Sequence, residues 1–111
     1  MTARGPHPDS LVRDHPEELS RSLPPVGSKA RSSLEWMFDQ PRGVTTEDAV
    51  EQNLHDGIGA AGHTLGRLYK ETVFVDRVAF KKRYDSGATS TAHVYWLTDA
   101  GEAAIAATID D

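Results

Sequence analysis

Apolar residues recur at steps of three and four between residues 28 and 70, which is the spacing of buried faces on amphipathic helices. The pattern predicts a first helix over 28–40, with the serine at its start as N-cap. A second helix is predicted to begin at Thr45 or the following threonine, where Asp48 completes an approximate capping box. Val44, just before that cap, fits a strand of one or two residues.

The third predicted helix, over about 60–70, divides most clearly into two faces. Its inward positions are apolar and fall at steps of three and four: Ile58, Ala61, Leu65 and Leu68. Its outward positions are small at the start and then polar or cationic: Ala60, His63, Arg67 and Lys70, with Thr64 on the flank. A cationic outer stripe of this kind is a candidate surface for an anionic partner.

Three glycines in the third helix require a compensating contact, because each weakens a helix by about 1 kcal/mol relative to alanine. Tight packing against the second helix is the favoured explanation for Gly59 and Gly62. The alternative, which also covers Gly66, is close approach of the backbone to a phosphate or a base pair. The spacing Gly57-x-Gly59-x-x-Gly62 matches a dinucleotide-binding motif, but it follows a helix rather than a strand and is interpreted as coincidence.

Beyond the third helix the pattern becomes that of a hairpin. Strand-forming residues predict one strand over 73–83 and a return strand over 91–97, with a cluster of turn residues between them. The alternation breaks near 78–80, where a bulge is one alternative, so the faces of the first strand stay open. A last helix is predicted to begin at Thr98 or Asp99 and to continue to about residue 109, and Asp99 with Glu102 makes a capping-box pattern.

The return strand can be divided into faces by its two-residue period. Tyr95 and Leu97 share a face with His93, whereas Val94 and Trp96 share the other. If Tyr95 and Leu97 point into the core, Trp96 points out of it.

The start of the chain differs in composition from the rest. Residues 1–27 are rich in proline and poor in core-forming side chains, which predicts a flexible N-terminal arm before a domain over 28–111. One helical turn at 16–19 and docking of the arm leucines on the domain are compatible with this composition.

The charge of the chain is unevenly distributed. The net charge is −5, yet the segment 63–83 holds six lysines and arginines against two acidic residues, a balance of +4. This division is typical of a DNA-facing surface on an acidic body, although chance clustering of solvated charges is the alternative. An acidic chain with only four lysines also resembles proteins of salt-accumulating halophiles.

Several function classes are disfavoured by the sequence. The chain has no cysteine, its five histidines show no close metal-ligand spacing, and it holds no nucleophile-elbow or phosphate-loop motif. No segment approaches the ~20 apolar residues that span a bilayer. We therefore expect a cytoplasmic protein that is not an enzyme, with no cofactor, no metal, no membrane contact and no evident small-molecule ligand.

The motif Tyr95-x-Leu97-Thr98-x-x-Gly101 follows the predicted hairpin and opens the last helix. With the order of elements over 28–111, it resembles the MarR-like and PadR-like winged-helix regulators, including archaeal and phage-repressor relatives. The resemblance implies an α+β winged helix-turn-helix with three helices, a two-stranded hairpin wing and a C-terminal helix. In such families the third helix enters the DNA major groove and the wing contacts the backbone or the minor groove.

Mapped by position, the resemblance implies DNA contacts from two sets of side chains. The helix would contribute His63, Thr64, Arg67 and Lys70, and the wing would contribute Lys81, Lys82 and Arg83. Arg67 is the best candidate for reading a guanine, because arginine makes bidentate contacts. An ion pair with Glu71, four residues further along the helix, is the alternative role for Arg67.

These observations predict a sequence-specific regulator of transcription that binds double-stranded DNA, repressor-like because no separate effector domain is present. A homodimer is expected, because so small a core often gains stability from a partner subunit. The alternative is a winged-helix module that binds protein instead of DNA. Trp36 and Trp96 are its candidate interface residues, since both lie off the predicted buried stripes.

Overall fold

The computed structural model describes residues 15–109, which form an α+β fold of five helices and one antiparallel hairpin. The predicted α+β class is therefore confirmed for this part of the chain. The elements follow in the order α1 Pro16–Arg21, α2 Lys29–Phe38, α3 Thr46–Glu51, α4 Ile58–Glu71, β1 Val75–Arg83, β2 Thr89–Leu97 and α5 Asp99–Ile109.

Side-chain caps start α2 and α3 where the sequence predicts them. The Ser28 hydroxyl accepts a hydrogen bond from the Arg31 backbone N–H at 3.1 Å. Thr45 and Asp48 form the reciprocal capping box, with distances of 3.1 and 2.9 Å between each side-chain oxygen and the other residue's backbone nitrogen. α3 ends at Glu51, and the turn after it includes Asn53 in the left-handed region with φ +60°.

The core lies where α2, α4 and α5 meet the base of the hairpin. The inward face of α4 is confirmed at Ala61, Leu65 and Leu68, which are all buried. The prediction is wrong for Ile58, which is 50% exposed. Ile58 is the first residue of α4 and precedes the point at which the helix enters the core.

α1 belongs to the packed structure. It packs against α5, and its Leu19 is only 3% exposed. The core therefore extends into the segment predicted as a flexible arm, because Leu19 finds an apolar site on the domain. The docking considered for the arm leucines is thus present at Leu19, and residues 1–14 lie outside the described part of the chain.

The two strands pair without interruption from Val75 opposite Leu97 to Arg83 opposite Thr89. The register leaves no room for the bulge considered near residues 78–80. Val44 also pairs with Tyr95, through hydrogen bonds of 2.7 and 2.8 Å between their backbone nitrogens and oxygens. The one-residue strand predicted at Val44 is thus present, and it lies on the opposite side of β2 from β1.

Period-two alternation gives the hairpin two different faces. One face continues from the buried base and carries cations, and we call it the cationic hairpin face: Arg77, Lys81 and Arg83 of β1, with Thr89, Thr91 and His93 of β2. We call the other the apolar hairpin face: Val78 and Phe80 of β1, with Ala92 and Val94 of β2.

The Tyr95-x-Leu97-Thr98-x-x-Gly101 motif joins the hairpin to α5. Tyr95 and Leu97 are buried. The Thr98 hydroxyl donates to the Val73 carbonyl at 2.6 Å and accepts from the Gly101 N–H at 3.1 Å. Thr98, one of the two predicted starts, is therefore the cap of α5, and the capping-box pattern at Asp99 does not supply it.

A buried polar contact fixes α2 to the turn between α3 and α4. The His55 side chain is only 4% exposed, and its Nε2 lies 3.0 Å from the Ser33 hydroxyl. That hydroxyl donates to the Lys29 carbonyl at 2.8 Å, so it accepts from His55 and assigns the ring proton to Nε2. Burial, with a smaller contribution from the Lys29 charge and an opposing one from Asp56, lowers the pKa of His55.

The stability of the protein is expected to fall as the pH drops through the ordinary histidine pKa of about 6.5. Because the pKa of His55 is lower in the folded protein, this histidine binds a proton more readily in the unfolded chain as the pH falls below about 6.5. Acid therefore favours unfolding. His93 adds to the trend, because burial and the Arg77 charge lower its pKa as well. Thermal unfolding midpoints at about pH 7.5 and 5.5 measure the effect.

His55→Gln is the informative variant for this pH dependence, since a glutamine amide can still donate to Ser33. Its midpoint should change less with pH than that of the unchanged protein. His15→Gln, at an exposed position, serves as the matched control and should keep the original pH profile. Equal pH profiles for all three proteins would contradict the assignment to His55.

Candidate nucleic-acid interface

The outward side of α4 exposes its polar and cationic side chains. His63, Arg67 and Lys70 are exposed, opposite the buried stripe of the same helix, and Thr64 is half-buried. At 1.5 Å per residue, the seven-residue step from His63 to Lys70 covers about 10 Å of helix. That length of open, basic helix surface is comparable with the width of a major groove, about 12 Å.

The glycines of α4 lie on the same open side. A Cβ atom at Gly59 or Gly66 would have no atom within 4 Å, and one at Gly62 would make only an ordinary contact at 3.7 Å with Thr46 Cγ2. Packing against α3 is therefore the wrong explanation for Gly59 and a weak one for Gly62. At about 100° per residue the three glycines fall within about 60° of one another, next to Lys70. The backbone is open to close approach on that side.

Arg67 forms an ion pair with Glu71, which is the alternative role that the sequence suggests for it. Its Nε lies 3.0 Å from Glu71 Oε2, and the two side chains are 61% and 57% exposed. An exposed pair of this spacing contributes only about 0.3–0.5 kcal/mol. The guanidinium can therefore leave Glu71 for a stronger acceptor at little cost in free energy.

One flank of α4 borders a cleft of about 280 Å³. His63, Thr64 and Arg67 line one wall, and Pro24 and Ala30, around the start of α2, line the other. Thr64 points toward this covered flank. The accessible part of the helix is thus the side that carries His63, Arg67, Lys70 and the glycines.

Arg77 connects α4 to the hairpin. Its guanidinium carbon lies 4.3 Å from the centroid of the Tyr69 ring and 6.0 Å from that of Tyr95. These are cation–π distances, and Tyr69 immediately precedes Lys70 on α4. Sequence reasoning counted the charge of Arg77 but did not place it in the site. Side chains of a strand alternate between its two faces, so Arg77, two residues after the buried Val75, lies on the same face as Val75. This could have been recognised only with the strand register known.

The three hairpin cations predicted as one set are divided by the structure. Lys81 and Arg83 lie on the cationic hairpin face with Arg77. Lys82 lies on the apolar side, and its ammonium is paired with the Glu47 carboxylate of α3. Lys82 therefore does not share the cationic hairpin face with Lys81 and Arg83, because adjacent residues of a strand point to opposite faces.

His93 lies on the cationic hairpin face but adds no positive charge to that face at neutral pH. Its ring centroid is 5.9 Å from that of Tyr95. Burial and the neighbouring Arg77 charge lower the pKa of His93, which favours the neutral ring. The charge of this face therefore comes from its arginines and its lysine.

The tryptophans proposed as exposed interface residues are both half-buried. Trp36 packs against the core, and Trp96 lies at the base of the hairpin beside Gly43. The exposed apolar side chains of the hairpin are instead Val78, at 54%, and Phe80, at 38%. Period two predicts such a pair only after the register is known, which is why sequence reasoning missed them.

This chain matches no known family, no curated protein and no solved structure. Over residues 15–109, no helix is both long enough and apolar enough to cross a membrane. In the same range, no group of three or more histidine and carboxylate side chains is placed to hold a metal ion.

Proposed function

We propose that this protein is a sequence-specific regulator of transcription that binds double-stranded DNA through a winged helix-turn-helix. In this proposal α3 and α4 form the helix-turn-helix, with α4 in the major groove, and the β1–β2 hairpin is the wing. The Val44–Tyr95 pairing supports the fold, because it ties the segment before α3 to the return strand of the wing.

The observation that carries the proposal is the position of Arg77 between the two basic elements. Its cation–π contact with Tyr69 brings the cationic hairpin face against the end of α4 that holds Lys70. At about 3.3 Å per residue, Lys81 and Arg83 extend this charge about 13 and 20 Å along β1 from Arg77. A basic helix and a basic strand face that meet in this way provide a long contact for a phosphate backbone.

Different roles follow for the individual cations. Arg67 lies at mid-helix and can give two parallel hydrogen bonds to a guanine, so it is proposed to read sequence. The exposed side chains of Lys70, Lys81 and Arg83 are proposed to contact phosphates. If one protomer neutralises about 4–6 phosphates, the slope of log affinity against log salt should be near −4 to −5.

Arg67→Ala is expected to abolish sequence preference and leave weak, salt-dependent binding. Loss of a good bidentate base contact corresponds to about 1–3 kcal/mol, or roughly 5- to 150-fold in affinity for the preferred site. The preferred site is first obtained by selection from a random DNA pool. Fluorescence anisotropy then compares that site with a scrambled duplex for both proteins.

Glu71→Gln and Arg21→Gln complete this experiment. Glu71→Gln removes the carboxylate that competes for Arg67, so affinity should rise by about twofold. Arg21 is exposed on α1 and is not one of the proposed contacts, so its replacement should leave sequence preference unchanged. An unaltered preference in Arg67→Ala would remove Arg67 from its assigned role.

A protein-binding winged-helix module is the second candidate function. It is favoured by the exposure of Val78 and Phe80, which DNA phosphates would not cover. Electrophoretic shifts at low and high salt distinguish the two functions. A regulator that binds DNA shifts duplexes at low salt and releases them as salt rises, whereas a protein-binding module shifts none at either salt.

A further inference from the structure

On the apolar hairpin face Val78 and Phe80 are exposed, at 54% and 38%, and Lys82 on the same side of β1 is paired with Glu47 of α3. Val78 and Phe80 are adjacent on one face of β1, and their cross-strand partners Val94 and Ala92 are half-buried. We infer that this face is the contact surface between two copies of the chain. The two hairpins pack face to face about a two-fold axis that crosses the strands at the level of Ala79.

Charge complementarity along β1 identifies a second copy as the occupant. Read along this side, β1 presents Asp76, Val78, Phe80 and Lys82, an acidic end, two apolar residues and a basic end. A two-fold axis at Ala79 reverses this order in the second copy. Asp76 then faces Lys82 of the other chain at both ends, and Val78 faces Phe80 twice, as an isologous interface requires.

The sizes of the β2 side chains fit the same axis. β2 presents Trp96, Val94, Ala92 and Ser90 in register with the four β1 positions. The two-fold operation places Trp96 over Ser90 and Val94 over Ala92. A large side chain thus meets a small one at every β2 position, which allows two sheets to pack closely.

Pairing of the two β1 edges is the competing way to join two copies, and the sequence of β1 opposes it. An antiparallel edge contact about the same centre would also pair Asp76 with Lys82, but it would place Arg77 directly opposite Lys81 of the other chain, at two positions. Like charges in a cross-strand pair are destabilising, and cations are a common protection of exposed edges. Association is therefore directed to the apolar face.

The proposed dimer leaves the DNA-binding surface free. Arg77, Lys81 and Arg83 lie on the opposite side of the hairpin, so two copies would carry two separate cationic faces. Lys82 is paired with Glu47 within the chain, but its side chain remains 32% exposed. It can therefore join Asp76 of the second copy in a three-membered charge network.

Sedimentation velocity over roughly 1–100 μM tests the proposal. We expect a reversible monomer–dimer equilibrium, and Phe80→Glu should weaken it by about tenfold or more. Ile58→Glu is the matched control, because Ile58 is also a half-exposed apolar residue but lies at the start of α4. It should leave the equilibrium unchanged, and circular dichroism melting shows that each variant is folded.

A charge exchange tests the register of the two copies. In a Glu47→Gln background, which removes the intrachain partner of Lys82, Asp76→Lys should weaken the dimer and the added change Lys82→Asp should restore it. A protein that is monomeric throughout the concentration range would overturn the proposal. So would a dimer that neither Phe80→Glu nor Asp76→Lys weakens.

These outcomes are separate from those of the DNA-binding experiments. DNA affinity is measured with a single-site duplex at protein concentrations below those that give a dimer. Loss of dimerisation in Phe80→Glu with intact DNA binding supports both proposals. Dimerisation without any DNA binding supports this inference and contradicts only the proposed function.

Discussion

Replacement of Gly101 by alanine is expected to lower the free energy of unfolding by about 3 kcal/mol. The added Cβ would lie 2.3 Å from the carbonyl oxygen of Phe74 and 3.2 Å from its carbonyl carbon. These atoms belong to the backbone and cannot rotate away, and the oxygen already accepts the Thr98 N–H at 2.9 Å. α5 would have to move off the core. Urea unfolding followed by circular dichroism measures the loss.

Gly66→Ala is the matched control, since it makes the same chemical change within a helix. A Cβ at Gly66 meets no atom within 4 Å, so only the gain in helix propensity remains. The free energy of unfolding should rise by about 0.5–1 kcal/mol. Effects of the same sign for the two variants would show that α5 does not press against Phe74 as described.

The largest effect on DNA binding is expected when Lys70, Lys81 and Arg83 are all replaced by glutamine. These side chains are exposed and are the proposed phosphate contacts. Each contact contributes about 0.9 to the slope of log affinity against log salt, so the slope should flatten by about 3. At about 0.1 M salt the affinity should fall by two to three orders of magnitude for every DNA sequence.

The control for this variant removes the same charge from other parts of the surface. Lys29, Arg21 and Arg42 are exposed and lie outside α4 and the hairpin. Their joint replacement by glutamine should reduce affinity only slightly, through the change in net charge. If both triple variants lose affinity to the same extent, net charge rather than the cationic hairpin face determines binding.

Local interactions explain the part of the fold that was predictable. Ser28, Thr45 and Asp48 satisfy backbone groups within three residues of themselves, so their caps are specified by the neighbouring sequence. The buried stripe of α4 likewise follows from helical periodicity. Ile58 departs from it because burial depends on where the rest of the core ends.

Contacts between distant residues account for the errors. The docking of Leu19 depends on α5, about eighty residues further along the chain, and no local pattern near Leu19 indicates it. The faces of β1 depend on its register with β2, which the run Val78-Ala79-Phe80 leaves ambiguous on its own. For that reason Lys82 was grouped with Lys81 and Arg83, and Arg77 was left out of the candidate site.

The pairing of Val44 with Tyr95 fixes the base of the hairpin, and the Lys82–Glu47 ion pair is a second attachment nearer its tip. Both hydrogen bonds of the backbone pairing lie near the base of β2, six residues from Thr89 at its far end. An exposed ion pair contributes only about 0.2–1 kcal/mol, so it can break while the backbone pairing at the base holds. In the proposed complex with DNA, Lys81 and Arg83 would then shift with the tip to fit the width of the groove, while Arg77 stays stacked on Tyr69.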